Sequence, residues 1–387
     1  FGNGVNSTSG IAKLFVLFPE RGADGTWCHP DSVYNDNLNA SDGLRAGCAT
    51  ADQDFYKLDT GFGVANSGSQ QGLPNGLGTP RGIDVDANGT IDYAYAGDVR
   101  GNFYRFDLSS SNPDDWGVTK IFDAVYDVNG DGSVIQRQPI LNQPIVIEHP
   151  TLEDGYIVIF GTGSYITNED RTNTDIQTIY GLWDRLGVDL LEKADLVEQQ
   201  YTNMVDAEFG NVRTLSSNDV NYTVCAVGDT ECTDVRGWYN DLDAVAAGDT
   251  QGIDPPEFPG ERAIRNFQLR GGLAFVNSVA PRSETSCTNE AGGFALAFCP
   301  GTGGINCLGT QGIFDLNNDG LFNEGDEVAG SVVAGTRFED AVPTDSTFFG
   351  GNRVTQLSDA SLQIRGTDTT GGANTGRLSW RRLDAVQ

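Results

Sequence analysis

The sequence predicts an all-β protein, and three observations carry that reading. Its apolar segments are short and rich in β-branched and aromatic residues, they are separated by clusters of Gly, Asn, Asp and Ser, and helix signals are few. In chain order the expected strands are Ile11 to Phe18, Ile91 to Ala96, Asn102 to Leu108, Pro144 to Glu148, Tyr156 to Phe160, Thr178 to Trp183 and Leu273 to Val279. The passage IDYAYAGDVRGNFYRFDL, Ile91 to Leu108, reads as a complete hairpin: an alternating strand, a turn at Asp98 to Gly101, and an aromatic strand with Phe103, Tyr104 and Phe106. A related layout recurs at YIVIFGTGSYI followed by QTIYGLWD. Radially repeated sheets of this kind make β-propellers, whose blades bury flat faces against one another and leave only short edges. A propeller is the expected architecture, and a sandwich with long loops is the alternative. The best helix candidate is Leu190 to Asp206, with apolar Leu190, Leu191, Ala194 and Val197; a strand flanked by loop is the other reading. The stretch 216–259 holds Cys225, Cys232 and PPEFP and reads as a loop-rich, disulfide-pinned insertion in a single domain spanning 1–387.

Composition narrows function. The 387 residues carry 24 Lys+Arg against 54 Asp+Glu, a formal charge of −30, and Gly alone supplies 50 positions. Nucleic-acid backbones and anionic membrane surfaces are bound mainly through Lys and Arg, so neither is an expected partner. A hydrophobic fraction of 38% and an aromatic fraction of 10% are too high for a disordered acidic tail. No apolar run approaches the roughly 18 to 20 residues of a membrane span. The 39 Asp against 15 Glu point to turns and metal loops, because the short Asp side chain reaches nearby backbone or a cation. Adaptation to salty water is a second source of the acidity. The chain opens at Phe1 with no initiator Met or apolar leader, which reads as a mature product or a fragment.

The seven cysteines fall at 28, 48, 225, 232, 287, 299 and 307, and the only histidines are His29 and His149. No paired CxxC or Cys/His spacing suits structural zinc, so disulfides in an oxidising compartment are the expectation. The odd count leaves one thiol free or paired with a cysteine upstream of Phe1.

Three Asp-rich loops carry the candidate chemistry. Hard cations such as calcium need several oxygen ligands around one point, and alternating acidic residues on a tight loop supply them. In DVDANGTID, Asp84, Asp86 and Asn88 sit at positions 1, 3 and 5, Gly89 at 6, Thr90 offers its carbonyl at 7 and Asp92 closes at 9; position 12 is Tyr95. Clustered carboxylates repel without a cation, so calcium is expected here, with a solvated acidic turn as the alternative. In DLNNDGLFNEGD, Asp315, Asn317 and Asp319 occupy positions 1, 3 and 5, Leu321 gives a carbonyl, Asn323 acts at 9 and Asp326 at 12. Calcium is expected there as well, against a loop held by Asx turns. In DVNGDGS, Asp127, Asn129 and Asp131 fit, but Ile135 and Gln138 stand at positions 9 and 12, so a tight turn between strands is an equal reading. No GxSxG elbow or phosphate-binding GxxxxGK[ST] loop is present.

Several segments together resemble one family, the PilY-type biogenesis factors and tip adhesins of type IV pili, in their C-terminal β-propeller. They are FGNGVNS, GIDVDANGTIDYAYAGDVRGNFYRFDL, VIFGTGSYI with QTIYGLWD, RGWYNDL, LRGGLAFVNSVAP, IFDLNNDG and GRLSWRRL, and they span nearly the whole chain in the family's order. The resemblance implies a propeller incomplete on its N-terminal side. It also implies calcium-ligand roles for Asp84, Asp86, Asn88, Thr90 through its carbonyl, and Asp92. It further implies a non-enzymatic module that works with minor pilins in a pilus-tip complex, opposes retraction when calcium is bound and attaches to surfaces. Such a module acts outside the cell after export through the periplasm, at the pilus tip or associated with the outer membrane. The RGD tripeptide that some members use for integrin binding is lacking; Glu20 to Asp24 reads ERGAD. The competing expectations are a quinoprotein-like propeller dehydrogenase and a secreted carbohydrate-binding protein, since fold alone does not decide function.

Overall fold

The structure, a computed structural model, describes residues 1–5, 7, 10–17, 55–63, 74–151, 154–188, 190–225, 232–246, 258–281, 292–305, 307, 312–339 and 341–368. Cys28, His29, Cys48, Cys287, the Glu20 to Asp24 segment and the terminal GRLSWRRL lie outside the described residues. The chain divides into two compact units, one of residues 1–146, 162–164 and 184–193, the other of 147–161, 165–183 and 194–387.

In the first unit β1 (Ile11–Leu17) pairs antiparallel with β2 (Phe55–Gly63). Next, β3 (Arg81–Ile83), β4 (Tyr93–Gly97), β5 (Asn102–Asp107) and β6 (Gly117–Asp123) form a four-stranded antiparallel sheet in chain order, and β7 (Val125–Asp127) and β8 (Ile135–Arg137) form a hairpin. The expected Ile91 to Leu108 hairpin is therefore present, with its physical logic visible in the register. Ala94 stands opposite Phe106 and Ala96 opposite Tyr104, so small side chains on one strand leave room for rings on the next. These four pack with Ala12, Leu14, Leu77 and Leu108 into a core cluster. On the alternate face, Tyr95 stands opposite Arg105, and both reach the buried Asp184: the Tyr95 hydroxyl donates at 2.9 Å and Arg105 Nη1 donates to the two carboxylate oxygens at 2.7 and 2.9 Å.

The turn between β4 and β5 is built on the buried Asp98. Its Oδ2 accepts from Asn75 Nδ2, Asn102 Nδ2 and the Tyr104 hydroxyl, and its Oδ1 from the amides of Arg100 and Asn102. Burial pushes the Asp98 carboxyl above its usual range against the pull of those donors.

In the second unit the strands are β9 (Ile145–Glu148, whose first two residues fall in the first unit), β10 (Tyr156–Gly161), β11 (Thr178–Asp184, whose last residue falls in the first unit), β12 (Val197–Asp206), β13 (Gly210–Leu215), β14 (Gly237–Ala246), β15 (Gln268–Arg270), β16 (Leu273–Asn277), β17 (Gly293–Phe298), β18 (Phe314–Asp315), β19 (Glu327–Val328), β20 (Ser331–Phe338), β21 (Pro343–Phe349), β22 (Asn352–Leu357) and β23 (Leu362–Thr367). One sheet runs β15-β16-β17-β20-β13-β12-β14-β11-β10-β9 with β19 on β20, and a four-stranded sheet runs β18-β23-β22-β21. The RGWYNDL segment supplies β14, which lies between β12 and β11, parallel to the former and antiparallel to the latter. Two disulfides, Cys225–Cys232 and Cys299–Cys307, close short loops in this unit. Its core cluster includes Val212, Leu273, Phe275, Phe314, Leu316 and Val333.

The helix expected over Leu190 to Asp206 is replaced by a single 3-10 turn at Lys193–Asp195 and by β12. The inward positions of β12 alternate as Gln199, Tyr201 and Asn203, two of them polar, so the period-two pattern of a strand does not show as alternating hydrophobicity. Buried polar side chains of this kind need partners, and Gln199 donates to the Asn218 and Thr302 carbonyls while Asn203 accepts from Arg213. Arg213 in turn forms a bidentate ion pair with Glu261 in which both side chains are fully buried.

Candidate metal centre

The first Asp-rich loop connects β3 to β4 and is pinned at its base by backbone bonds from Asp92 N–H to the Ile83 carbonyl (2.9 Å) and from Leu108 N–H to the Asp92 carbonyl (2.7 Å). Its own side chains shape the rest. Asp84 accepts from the amides of Asn88 (Oδ1, 3.2 Å) and Gly89 (Oδ2, 2.8 Å), Asp86 Oδ1 accepts from the Asn88 amide (3.1 Å), and Asn88 Oδ1 accepts from the Thr90 amide (2.7 Å). Asp92 closes the loop by accepting from the amide of Val85 at 2.7 Å. Ala87 and Gly89 adopt positive φ, 58° and 94°, which bends the backbone around the carboxylates.

That curl brings three acids together. One oxygen each of Asp84, Asp86 and Asp92 lies within 4.8 Å of the others, and this is the only such grouping of three acidic, His or Cys side chains among the described residues. The gathered donors are hard carboxylate oxygens, a set that suits calcium and offers nothing to a thiophilic metal, while Asn88 turns its Nδ2 to Asp86 and its Oδ1 to the Thr90 amide and hydroxyl.

The second loop, in the other unit, repeats the local pattern. Asp315 accepts from the amides of Asp319 and Gly320 (both 3.1 Å), Asn317 from Asp319 (2.9 Å) and Asp319 from Leu321 (2.8 Å), and Asn318 and Gly320 carry the positive φ. Its closing carboxylate is Asp326, 1% exposed, which accepts from the amides of Leu316 (2.7 Å), Asn317 (3.4 Å) and Asn323 (3.2 Å). Asn323 and Asp326 form a reciprocal capping box on the one-turn 3-10 helix Glu324–Asp326. The residue that Asp326 holds, Leu316, is part of the core cluster, whereas its counterpart Val85 in the first loop is 45% exposed.

The third loop shares the beginning and lacks the end. Asp127 accepts from the amides of Asn129, Gly130 and Gly132, and both glycines have positive φ. The amide equivalent to Val85, that of Val128, instead donates to the Val134 carbonyl at 2.9 Å as part of the β7–β8 hairpin. Asp127, Asn129 and Asp131 thus stand in a tight hairpin turn.

A family model described as the PilY1 beta-propeller domain matches residues 40–202. Over 266 residues the chain is 31% identical to the type IV pilus biogenesis factor PilY1 of Pseudomonas aeruginosa, covering 60% of this chain and 21% of that protein. The fold superposes on the crystal structure of the P. aeruginosa PilY1 C-terminal domain with a TM-score of 0.65 and 25% identity, covering 95% of this chain and 68% of that one. The chain belongs to the PilY1 family. Its all-β propeller fold is of the PilY1 type. A PilY1 homolog of Xylella fastidiosa is 27% identical over 316 residues, 79% of this chain and 18% of that protein. The chain thus matches about a fifth of the length of these curated relatives. Among the described residues no helix is long and apolar enough to cross a membrane.

The buried Asp98, Arg105–Asp184 and Arg213–Glu261 stations carried no signal in the sequence. Their partners are separated by up to 79 residues, and no local spacing marks a charge that will be buried and paired.

Proposed function

We propose that this PilY1-type domain is a non-enzymatic calcium-binding module of a type IV pilus tip adhesin and biogenesis factor. The observation that carries the proposal is the convergence of Asp84, Asp86 and Asp92. Asp84, Asp86, Asn88, Asp92 and the Thr90 carbonyl would hold the ion, which would neutralise carboxylates that now rely on amide hydrogens of their own loop. A second, weaker ion would take Asp315, Asn317, Asp319, Asn323, Asp326 and the Leu321 carbonyl. In the pilus, calcium occupancy would order these loops, support assembly with minor pilins, oppose retraction and set the surface that makes contact outside the cell. The two disulfides fit export through an oxidising compartment.

With millimolar external calcium and dissociation constants of about 10⁻⁶ to 10⁻³ M, binding would stabilise the folded loop by about 0.4 to 4 kcal/mol, enough for a switch. Titration calorimetry tests this. Calcium binding that drops by one ion in Asp92→Ala supports the first loop, and unchanged affinity and stoichiometry would sink it. A wild-type stoichiometry of one would remove the second loop from the proposal.

A further inference from the structure

We infer that the first loop carries a self-modifying residue: Asn88 loses its side-chain amide through the backbone nitrogen of Gly89 and becomes an acid. In the reaction a bond forms between Gly89 N and Asn88 Cγ, the Cγ–Nδ2 bond breaks, and the Gly89 amide proton leaves with Nδ2 as ammonia. Water then opens the cyclic imide at either carbonyl, giving aspartate or isoaspartate. Water is the only co-reactant.

Such a step is ordinarily slow for three reasons, and the loop addresses each. A side chain on the following residue obstructs the attack; residue 89 is glycine, at φ 94° with nothing within 4 Å of where a Cβ would stand. A backbone amide is a poor nucleophile until its proton is taken; the Gly89 N–H donates to Asp84 Oδ2 at 2.8 Å, a carboxylate placed as general base. The side-chain carbonyl is a poor electrophile until charge on its oxygen is stabilised. Asn88 Oδ1 accepts from both the Thr90 amide at 2.7 Å and the Thr90 hydroxyl, an arrangement of the oxyanion-hole kind. The departing Nδ2 is tethered to Asp86 Oδ2 at 2.9 Å, and Asn88 is exposed to the water that completes the step.

Of the three other Asn-Gly pairs, two serve as internal controls; in the third, Asn3–Gly4, the Gly4 N–H donates to the Leu77 carbonyl at 3.0 Å, where no base can take its proton. At Asn129–Gly130 the base is present, since Gly130 N–H donates to Asp127 Oδ1 at 3.1 Å, but no donor among the described residues reaches Asn129 Oδ1. At Asn75–Gly76 the asparagine is buried and the Gly76 N–H donates to Asn75 Oδ1 itself, so the attacking nitrogen is occupied and water is excluded. The expected order of rates is Asn88, then Asn129, then Asn75. The aspartate product would put an acid at position 5, where the other two loops already have Asp319 and Asp131. The isoaspartate product would lengthen the backbone between Asp86 and Asp92 and break the loop's spacing.

The test is peptide mass spectrometry over time on the purified chain in chelator at neutral pH. Acid-form Asn88 peptide should accumulate roughly tenfold faster than the Asn129 peptide, and Asp84→Asn should slow it roughly tenfold. Thr90→Val, which keeps the backbone donor, should slow it severalfold. Equal rates at Asn88 and Asn129, or an Asp84→Asn variant as fast as wild type, would overturn the inference. A calcium arm rests on the proposed metal function and separates the two ideas: protection by calcium supports both. Equal rates with and without calcium would count against the metal site alone, while a stable Asn88 in chelator would count against the modification alone.

Discussion

The first and third Asp-rich loops begin alike and end differently. Each opens with an aspartate that gathers the amides of the next turn, and each bends at positive φ in its fourth and sixth residues: Ala87 and Gly89 in one, Gly130 and Gly132 in the other. The difference lies in the second amide. Val85 gives its hydrogen to the Asp92 carboxylate, whereas Val128 gives its hydrogen to a backbone carbonyl across a hairpin. A carboxylate that returns to the start of the loop joins the others there; a hairpin carbonyl leaves the loop with acids on one side only. The second loop is also closed by a carboxylate returning to its second amide, from three residues further on through Asp326, but among the described residues its acids do not come together as Asp84, Asp86 and Asp92 do. Closure by a returning carboxylate separates both loops from the hairpin turn, and only in the first does it gather three acids.

The largest way to break this comparison is at Asp326. Its carboxylate is buried against three amides, so Asp326→Ala should orphan them and lower stability by about 2–4 kcal/mol in urea denaturation, with or without calcium. A loss below about 1 kcal/mol would mean that water replaces the carboxylate and that closure is not structural. Asp92→Ala should behave differently because its loop is exposed. In chelator the loss should stay under about 1 kcal/mol, and the gap from wild type should widen on adding calcium by the binding contribution of about 0.4 to 4 kcal/mol. A thermal-shift series across calcium concentrations reads both.

A sharper test puts an acid at the ninth position of the third loop. Ile135→Asp reproduces the composition of the first loop, yet residue 135 already pairs with Asp127 in the hairpin and the Val128 amide is taken. No calcium binding should be gained by calorimetry; a gained site would show that composition suffices.

The smallest expected effect is on proton affinity. Hydrogen bonds from the Ser133 hydroxyl and amide hold the Asp131 carboxyl below its usual range. A depressed folded-state pKa adds stability above the unfolded pKa, and that stability is lost as pH falls through the folded value. Ser133→Ala should therefore move the Asp131 titration upward in an NMR pH series, shrinking that acid-side window while leaving neutral-pH stability nearly unchanged.

Much of this molecule was legible from local pattern. The Ile91 to Leu108 hairpin could be read because its small and aromatic residues alternate with period two, and the loop motifs because calcium-type geometry is encoded in consecutive residues. β12 was not legible, since its inward Gln199 and Asn203 are satisfied by carbonyls and side chains distant in sequence.

By itself, then, the sequence determined the all-β class, the family resemblance and the positions of three acidic loops, because turn chemistry and strand alternation act over a few residues. Only the tertiary structure decided which loop gathers its carboxylates, which is a hairpin, and which buried charges hold the strands. Those outcomes depend on where a carboxylate or a carbonyl arrives in space, and spacing along the chain does not carry that information.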